Sequence, residues 1–290
     1  MNAHPIVRRI AWGLGSLVAV VLVAAAAVFA LGSRAVGQTH AVPPAHLAVT
    51  ADSGSVARGA HLLGVYGCRD CHGADLAGTV MEDAPPFRLV ASNLTPGGVG
   101  AAYTVEDWER AIRHGVGPDG TALFVMPSGA YSKLSDTDVQ DVIAALQALP
   151  PVDNELSGVE WKPLGTMLAA GPIDLASFVT QGDAPATSPP PDSTAAYGAY
   201  VTGMMCAYCH GPQLSGAVAP GSEAWAPDLR AAAGWDKAQF DAALTSGVLP
   251  DGRTMDPKVM PWTATAHMTP AEREGIRRHL QSLATADRAR

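Results

Sequence analysis

The fold of this chain is decided by a five-residue stretch that occurs twice, as Cys68-Arg69-Asp70-Cys71-His72 and as Cys206-Ala207-Tyr208-Cys209-His210. Cys-x-x-Cys-His is the pattern by which a c-type haem is attached covalently. The two thiols bond to the two vinyl groups of one haem, and the histidine binds the iron as its proximal ligand. The two copies use all four cysteines of the chain. The sequence therefore predicts two haem c groups, held by Cys68, Cys71, Cys206 and Cys209, with His72 and His210 as iron ligands.

Other uses of a Cys-x-x-Cys pair explain less of the pattern. A redox dithiol needs no histidine beside its second cysteine. A zinc site would join two cysteine pairs 138 residues apart and would leave both histidines without a role. A disulfide within Cys-x-x-Cys is usually strained.

The composition is that of a folded chain with few aromatic side chains. Of the 290 residues, 48% are hydrophobic, 16% are charged and 6% are aromatic, which excludes a disordered chain. This length is enough for about two domains. An apolar porphyrin in each core accounts for the scarcity of aromatic residues. The net charge of −8 and the absence of a Lys/Arg-rich run exclude nucleic acid as a partner.

The N-terminal segment predicts a membrane anchor. Arg8 and Arg9 precede the uncharged residues 10–31, which are long enough to span a bilayer as a helix. The arginines predict that the chain starts in the cytoplasm and that everything after residue 32 lies outside it. A cleaved signal peptide is the alternative, although its apolar region is usually about 7–15 residues long. We assign residues 1–32 to the transmembrane anchor or signal peptide and residues 33–54 to an extended tether.

The second half of the chain repeats the order of the first. The matched stretches are residues 115–120 with 247–252, Met126-Pro127 with Met260-Pro261, and Ser135 with Thr269. Such a repeat predicts two copies of one helical domain. We place domain 1 at 55–150, a connecting segment with a proline-rich linker at 151–196, and domain 2 at 197–290. Within the connecting segment, residues 161–178 form either a strap along domain 1 or a contact surface for a partner.

The second iron ligand is predicted from the same repeat. Met126 and Met260 each precede a proline and lie just before the last helix of their domain. Methionine ligation raises the reduction potential of a haem. A buried methionine is otherwise an ordinary core residue, but coincidence at matched positions favours ligation. Met255 and Met268 are the alternatives in domain 2. The remaining histidines, His114, His267 and His279 among them, occupy non-equivalent places and are expected to face solvent.

Several local features are also predicted. Each proximal histidine should donate its other ring N–H to an acceptor, for which we expect a backbone carbonyl near Pro85-Pro86 in domain 1 and near Pro220 or Pro227 in domain 2. Gly59 and Gly64 fall inside the first helix of domain 1, where another helix can pack closely. The expected N-caps of the main helices are Ser55, Thr104, Ser135 and Thr269.

Each half resembles a class I cytochrome c domain, with Cys-x-x-Cys-His after a first helix and Met-Pro before a last one. The chain is similar to the membrane-anchored cytochrome c subunits of periplasmic alcohol, gluconate and aldehyde dehydrogenases. The similar stretches are residues 93–96, 115–120, 126–127, 131–136 and 149–152. Those subunits typically carry three haem motifs, whereas this chain has two.

The resemblance implies a mainly α protein, with two tandem class I cytochrome c domains behind an N-terminal transmembrane helix. It implies electron transfer from a periplasmic dehydrogenase to a quinone, a terminal oxidase or another cytochrome. The location implied is a bacterial inner membrane, with the haem domains facing the periplasm. The alternative is a haem enzyme, either a dihaem peroxidase or a thiosulfate-oxidising cytochrome, with one open iron site.

Overall fold

The computed structural model describes residues 5–43, 45–182, 184–185, 187–218 and 225–288, and these are mainly helical, as predicted. Their α-helices are α1 Pro5–Val36, α2 Ser53–Val65, α3 Cys68–His72, α4 Val105–Glu109, α5 Ser128–Tyr131, α6 Asp136–Gln147, α7 Pro163–Leu168, α8 Ala195–Val201, α9 Ala207–His210, α10 Lys237–Ser246, α11 Trp262–Thr265 and α12 Pro270–Arg288. Helix α4 continues as a π-helical turn, Arg110–His114, and the π-helical turn Thr202–Cys206 joins α8 to α9.

Short antiparallel strands, which the sequence patterns do not indicate, follow each Cys-x-x-Cys-His helix. In domain 1 the strands β1 Thr79–Asp83, β2 Phe87–Ala91 and β3 Val159–Trp161 form a sheet in the order β1-β2-β3, with Phe87 opposite Trp161. In domain 2 the strands β4 Ser215–Val218 and β5 Trp225–Asp228 form a hairpin. Both hairpins lie beside the histidine that ends the preceding helix.

Helix α1 extends to Val36 and then leads directly into domain 1. Among the described residues, α1 is the one helix that is long and apolar enough to cross a membrane. Its most apolar stretch is not buried in the protein. Its last turns pack on α7 so closely that a Cβ on Gly32 would lie 1.7 Å from the carbonyl oxygen of Thr166. Thr39 then pairs with Thr121, and Val42 is buried. Residues 32–42 therefore lie against the protein rather than forming a free tether.

Each domain is built on one pair of closely packed helices, α2 with α6 and α8 with α12. A Cβ on Gly59 would lie 1.8 Å from the carbonyl oxygen of Asp141, and one on Gly198 would lie 2.0 Å from that of Gly275. The expected close packing at Gly59 is thus confirmed, and it recurs at the matched glycine of domain 2.

The helix caps agree with prediction except for the first. Thr104, Ser135 and Thr269 each accept a hydrogen bond from the backbone amide three residues later. Ser55 is wrong as the first cap, because α2 begins two residues earlier. Its cap is Asp52, which accepts from the amides of Gly54 and Ser55 at 2.8 and 3.0 Å and whose charge also suits a helix N-terminus.

The two domains share a polar interface in which matched residues make matched contacts. His61 Nε2 of domain 1 lies 3.0 Å from the Glu272 carboxylate of domain 2. Tyr200 of domain 2 matches His61 in the repeat. Its hydroxyl donates to the Asp138 carboxylate of domain 1 at 2.7 Å. Asp138 itself matches Glu272, so the contact has the reciprocity of a two-fold symmetric interface.

The same reciprocity brings each haem-attachment motif against the other domain. Asp70, between Cys68 and Cys71, accepts a hydrogen bond from Thr263 at 3.0 Å. Tyr208 is the matched residue of domain 2, and a Cβ on Gly129 would lie 3.0 Å from its ring. Gly129 and Thr263 belong to α5 and α11, the helices that follow Met126 and Met260.

Candidate haem sites

Cys68 and Cys71 lie on α3, and Cys209 lies on α9, directly after the π-helical turn that ends at Cys206; none of the four forms a disulfide. Burial raises the pKa of Cys68 to about 12 and does the same to Cys206. Among the described residues no three His, Cys, Asp or Glu side chains form a group that could bind a metal ion. The four cysteines therefore fit covalent haem attachment better than a disulfide or a zinc site.

The two histidines of the motifs are oriented in the same way. His72 Nδ1 lies 2.8 Å from the carbonyl oxygen of Ser92, and His210 Nδ1 lies 2.7 Å from that of Pro227. Burial lowers the pKa of both rings, and the nearby carbonyl opposes this only in part. Each ring is therefore neutral, donates its Nδ1–H to the carbonyl and leaves the Nε2 lone pair available to an iron.

The expected acceptor is confirmed in domain 2 and wrong in domain 1. Pro227 lies in β5 and supplies the carbonyl directly. Pro85-Pro86 lies at the turn between β1 and β2, and the carbonyl that His72 reaches comes just after β2. The β1-β2 hairpin was not predicted from the sequence. Its second strand brings the Ser92 carbonyl back next to His72.

Met126 and His72 line one apolar cavity in domain 1, together with Cys68 and Cys71. The other lining residues are mostly apolar, namely Leu63, Tyr66, Gly67, Ser92, Leu94, Val99, Tyr103, Trp108, Ala111, Ile112, Leu123, Pro127, Tyr131, Leu134, Val142 and Leu146. The indole Nε1 of Trp108 is buried and has no hydrogen-bond partner among the described residues. An apolar cavity with two thiols, an imidazole, a thioether and one unpaired donor fits a haem, whose propionates accept hydrogen bonds.

Met260 occupies the backbone position in domain 2 that Met126 occupies in domain 1. The carbonyl of Met126 accepts from the Ser128 amide at 2.8 Å, and that of Met260 accepts from the Trp262 amide at 2.7 Å. Of the alternatives, Met268 is buried in the hydrophobic core, and the carbonyl of Met255 accepts from the Trp262 indole at 3.0 Å. The ligand role of Met260 remains a prediction that rests on this equivalence.

His114 differs from expectation, since it is buried rather than solvent-facing. Its Nδ1 lies 2.8 Å from the carbonyl oxygen of Thr180, and its Nε2 lies 3.3 Å from the carboxylate of Glu109. The hydrogen bond to Glu109 raises the pKa of His114. Both ring nitrogens are engaged by the protein, so His114 is not available as an iron ligand.

Comparison with known proteins matches each half of the chain to a cytochrome family. Residues 195–284 match the family model described as cytochrome c. Residues 54–144 match the model described as cytochrome c oxidase, cbb3-type, subunit III.

Similar proteins include cytochrome subunits of dehydrogenases. The chain is 36% identical over 109 residues to a fructose dehydrogenase cytochrome subunit of Gluconobacter japonicus, covering 34% of this chain and 22% of that protein. It is 30% identical over 178 residues to a gluconate 2-dehydrogenase cytochrome c subunit of Pantoea cypripedii, covering 56% and 39%. A diheme cytochrome c-type protein of Cereibacter sphaeroides is 27% identical over 240 residues, covering 69% and 75%. The chain thus spans 22% and 39% of the lengths of these two dehydrogenase subunits.

Proposed function

We propose that this chain, which carries two cytochrome c domains, passes electrons one at a time from a periplasmic dehydrogenase to a quinone, a terminal oxidase or another cytochrome. The observation that carries the proposal is the placement of His72 and Met126 in the walls of one apolar cavity, next to Cys68 and Cys71. His72 and Met126 would both hold the iron of a haem bound in this cavity, and such a haem would have no open iron position for a substrate.

The roles of the residues follow from their chemistry. Cys68, Cys71, Cys206 and Cys209 hold the two haems covalently, and His72 and His210 bind the two irons through Nε2. Met126 and Met260 supply the second axial ligands. When bound, haem iron supplies one-electron chemistry at a potential that its axial ligands and surroundings set. The carbonyls of Ser92 and Pro227 fix the histidine rings, so the ligands need not rearrange when the iron changes oxidation state.

The N-terminal helix supports a membrane-bound location. Arg8 and Arg9 lie near the start of helix α1 and favour a cytoplasmic start, which supports a periplasmic location for both domains. The similarity to cytochrome subunits of dehydrogenases supports a dehydrogenase as the electron donor.

The absorption spectrum of the purified oxidised protein tests the proposal, followed by reduction under carbon monoxide. We expect the weak long-wavelength band of sulfur-to-iron ligation at an intensity that corresponds to two haems, and no carbon monoxide binding. A high-spin haem that binds carbon monoxide would contradict the carrier function for that domain and favour a haem enzyme instead.

A further inference from the structure

The connecting segment between the two domains contains an apolar stretch. Residues 163–173, which we call the α7 segment because helix α7 begins it, carry no charged side chain. Their one polar side chain, that of Thr166, is buried. The exposed residues of the segment are all apolar, namely Pro163, Leu164, Ala170, Gly171 and Pro172. Connecting segments that face water are usually polar, so this surface indicates a contact with something apolar.

The α7 segment is fixed on domain 1 through its other side. Trp161 and Phe178, before and after the segment, pack on Phe124 with ring centroids 5.2 and 5.1 Å away. A Cβ on Gly165 would lie 1.9 Å from the carbonyl oxygen of Pro86, at the turn between β1 and β2. Residues 161–178 therefore lie along domain 1, which is the first of the two possibilities that the sequence left open. The exposed side of the segment is held in a defined position by these contacts.

The α7 segment crosses helix α1 at the end of the uncharged part of that helix. A Cβ on Gly32 would lie 1.7 Å from the carbonyl oxygen of Thr166 and 3.4 Å from the backbone nitrogen of Ala170. Gly32 directly follows residues 10–31, which carry no charge. As a helix this stretch is about 33 Å long, close to the roughly 30 Å thickness of the hydrocarbon core of a bilayer. Gly32 and the segment packed on it therefore lie at the boundary between acyl chains and lipid headgroups.

One face of α1 is covered over its last turns before Gly32. The face contains Ala25, Val28, Phe29 and Gly32, which follow the spacing of one side of a helix. Gly32 is buried, Ala25 is half-buried, and Val28 and Phe29 are 37% and 43% exposed. The larger apolar side chains of residues 6–23 are all at least 56% exposed. Helix α7 is the helix that packs on α1, so the protein around the α7 segment reaches to the level of the last apolar turns of α1.

We propose that the α7 segment lies in the surface of the bilayer that α1 crosses, with Leu164 among the upper acyl chains of the leaflet in which α1 ends. The inference rests on the proposed membrane-bound location and adds a second contact of the chain with lipid. Lipid is the occupant because the bilayer around α1 continues onto whatever packs on residues 25–32. A short apolar helix at this depth buries its apolar face in the interface. The segment is too short to span the bilayer, so α1 remains the anchor and the segment fixes the orientation of domain 1.

Photo-crosslinking to lipid tests the contact in the full chain with both haems attached. Leu164, which is 48% exposed, is replaced by p-benzoylphenylalanine, and the protein is reconstituted into vesicles of phosphatidylethanolamine and phosphatidylglycerol. The same replacement at Val20, which is 66% exposed in the middle of α1, is the positive control. The negative control carries it at Val259, which is 70% exposed in domain 2. After irradiation, mass spectrometry should detect phospholipid adducts from positions 164 and 20, with a yield at 164 at least about fivefold above that at 259.

The controls separate failure of this inference from failure of the proposed function. Adducts from position 20 but not from 164, or equal yields at 164 and 259, would overturn the contact of the α7 segment and leave a membrane-bound electron carrier intact. Absence of adducts from both 20 and 164 would refute the membrane-bound location itself. Irradiation of whole cells adds one more outcome, because a crosslink from 164 to a polypeptide in place of lipid would also overturn the inference. If the variant at 164 lost its haem absorption, the same replacement at Ala170, which is exposed beside Gly32, would take its place.

Discussion

Met126 is the side chain whose removal tests the ligand assignment most directly. It lines the cavity that also contains His72, so Met126→Ala should open one iron to external ligands and remove about half of the sulfur-to-iron band. Met260→Ala should do the same in domain 2. Carbon monoxide binding to the reduced variants, followed by absorption, measures both effects. Met81→Ala is the control, since Met81 is 43% exposed on β1. A Met126→Ala protein that still excludes carbon monoxide would show that another group binds the iron.

The His61–Glu272 pair should make the stability of the domain interface depend on pH. The hydrogen bond to Glu272 raises the pKa of His61, although partial burial opposes it. Burial alone would raise the pKa of Glu272, but hydrogen bonds from His61, the Thr269 amide and Tyr197 lower it to about 2. The stabilisation by His61 is complete below its ordinary pKa, near 6.5, and is lost as pH rises through the raised value. The stabilisation by Glu272 is present above about pH 4.5 and is lost as pH falls towards 2.

His61→Gln should therefore destabilise the protein most between about pH 4.5 and 6.5, by at most about 1 kcal/mol because His61 is partly exposed. The difference from the wild type should shrink as pH rises through the raised pKa of His61. Thermal unfolding across this pH range measures it. Arg58→Gln is the control, because it breaks an ion pair with Asp141 inside domain 1 and arginine stays charged throughout. A loss that is constant with pH in His61→Gln would contradict the linkage.

The site residues that the sequence predicts are those whose chemistry depends on local spacing or on the repeat. The cysteines and His72 and His210 follow from five consecutive positions, and Met126 and Met260 follow from the repeat. The Ser92 carbonyl, the unpaired Trp108 indole and the His61–Glu272 pair come from segments distant in sequence. Their meeting depends on tertiary packing, which a single sequence without an alignment does not specify.

Two matched glycines should be essential for the helix pairs that form each domain. Gly59→Ala places a methyl group against the Asp141 carbonyl of α6, and Gly198→Ala places one against the Gly275 carbonyl of α12. Because backbone cannot yield as a side chain can, each variant should lose about 3 kcal/mol of unfolding free energy. Chemical denaturation of the haem-loaded protein measures the loss. Gly203→Ala has nothing within 4 Å of the added group and should be neutral or slightly stabilising. Equal stability of all three variants would refute the close approach.

The elements that escaped prediction are short or carry no periodic pattern. All five residues of β1 are exposed, so the alternation that marks a half-buried strand is absent. Residues 161–178 pack on domain 1 through contacts of Trp161 and Phe178 with Phe124, which is distant in sequence. Helix caps, by contrast, depend on side chains within three residues of the helix start. Three of the four expected caps were therefore correct, and the fourth differed by three positions.

The placement of α1 gives the two domains different surroundings. Its C-terminal turns pack on α7, and Thr39 after it pairs with Thr121, so domain 1 is the domain held next to α1. Domain 2 contacts domain 1 through the reciprocal interface.

Removal of residues 1–36 behind a cleavable signal peptide should release the protein from the membrane with both haems attached. The most apolar part of α1 is not buried, so its loss exposes little of the protein core. The contact of Gly32 with Thr166 is lost, but the pairing of Thr39 with Thr121 and the burial of Val42 remain. Fractionation of cells and the haem absorption of the soluble fraction measure the outcome. The full-length chain, expected in the membrane fraction, is the control. If the truncated protein stayed in the membrane fraction, the domains themselves would bind the membrane or a protein within it, and α1 would not be the sole anchor.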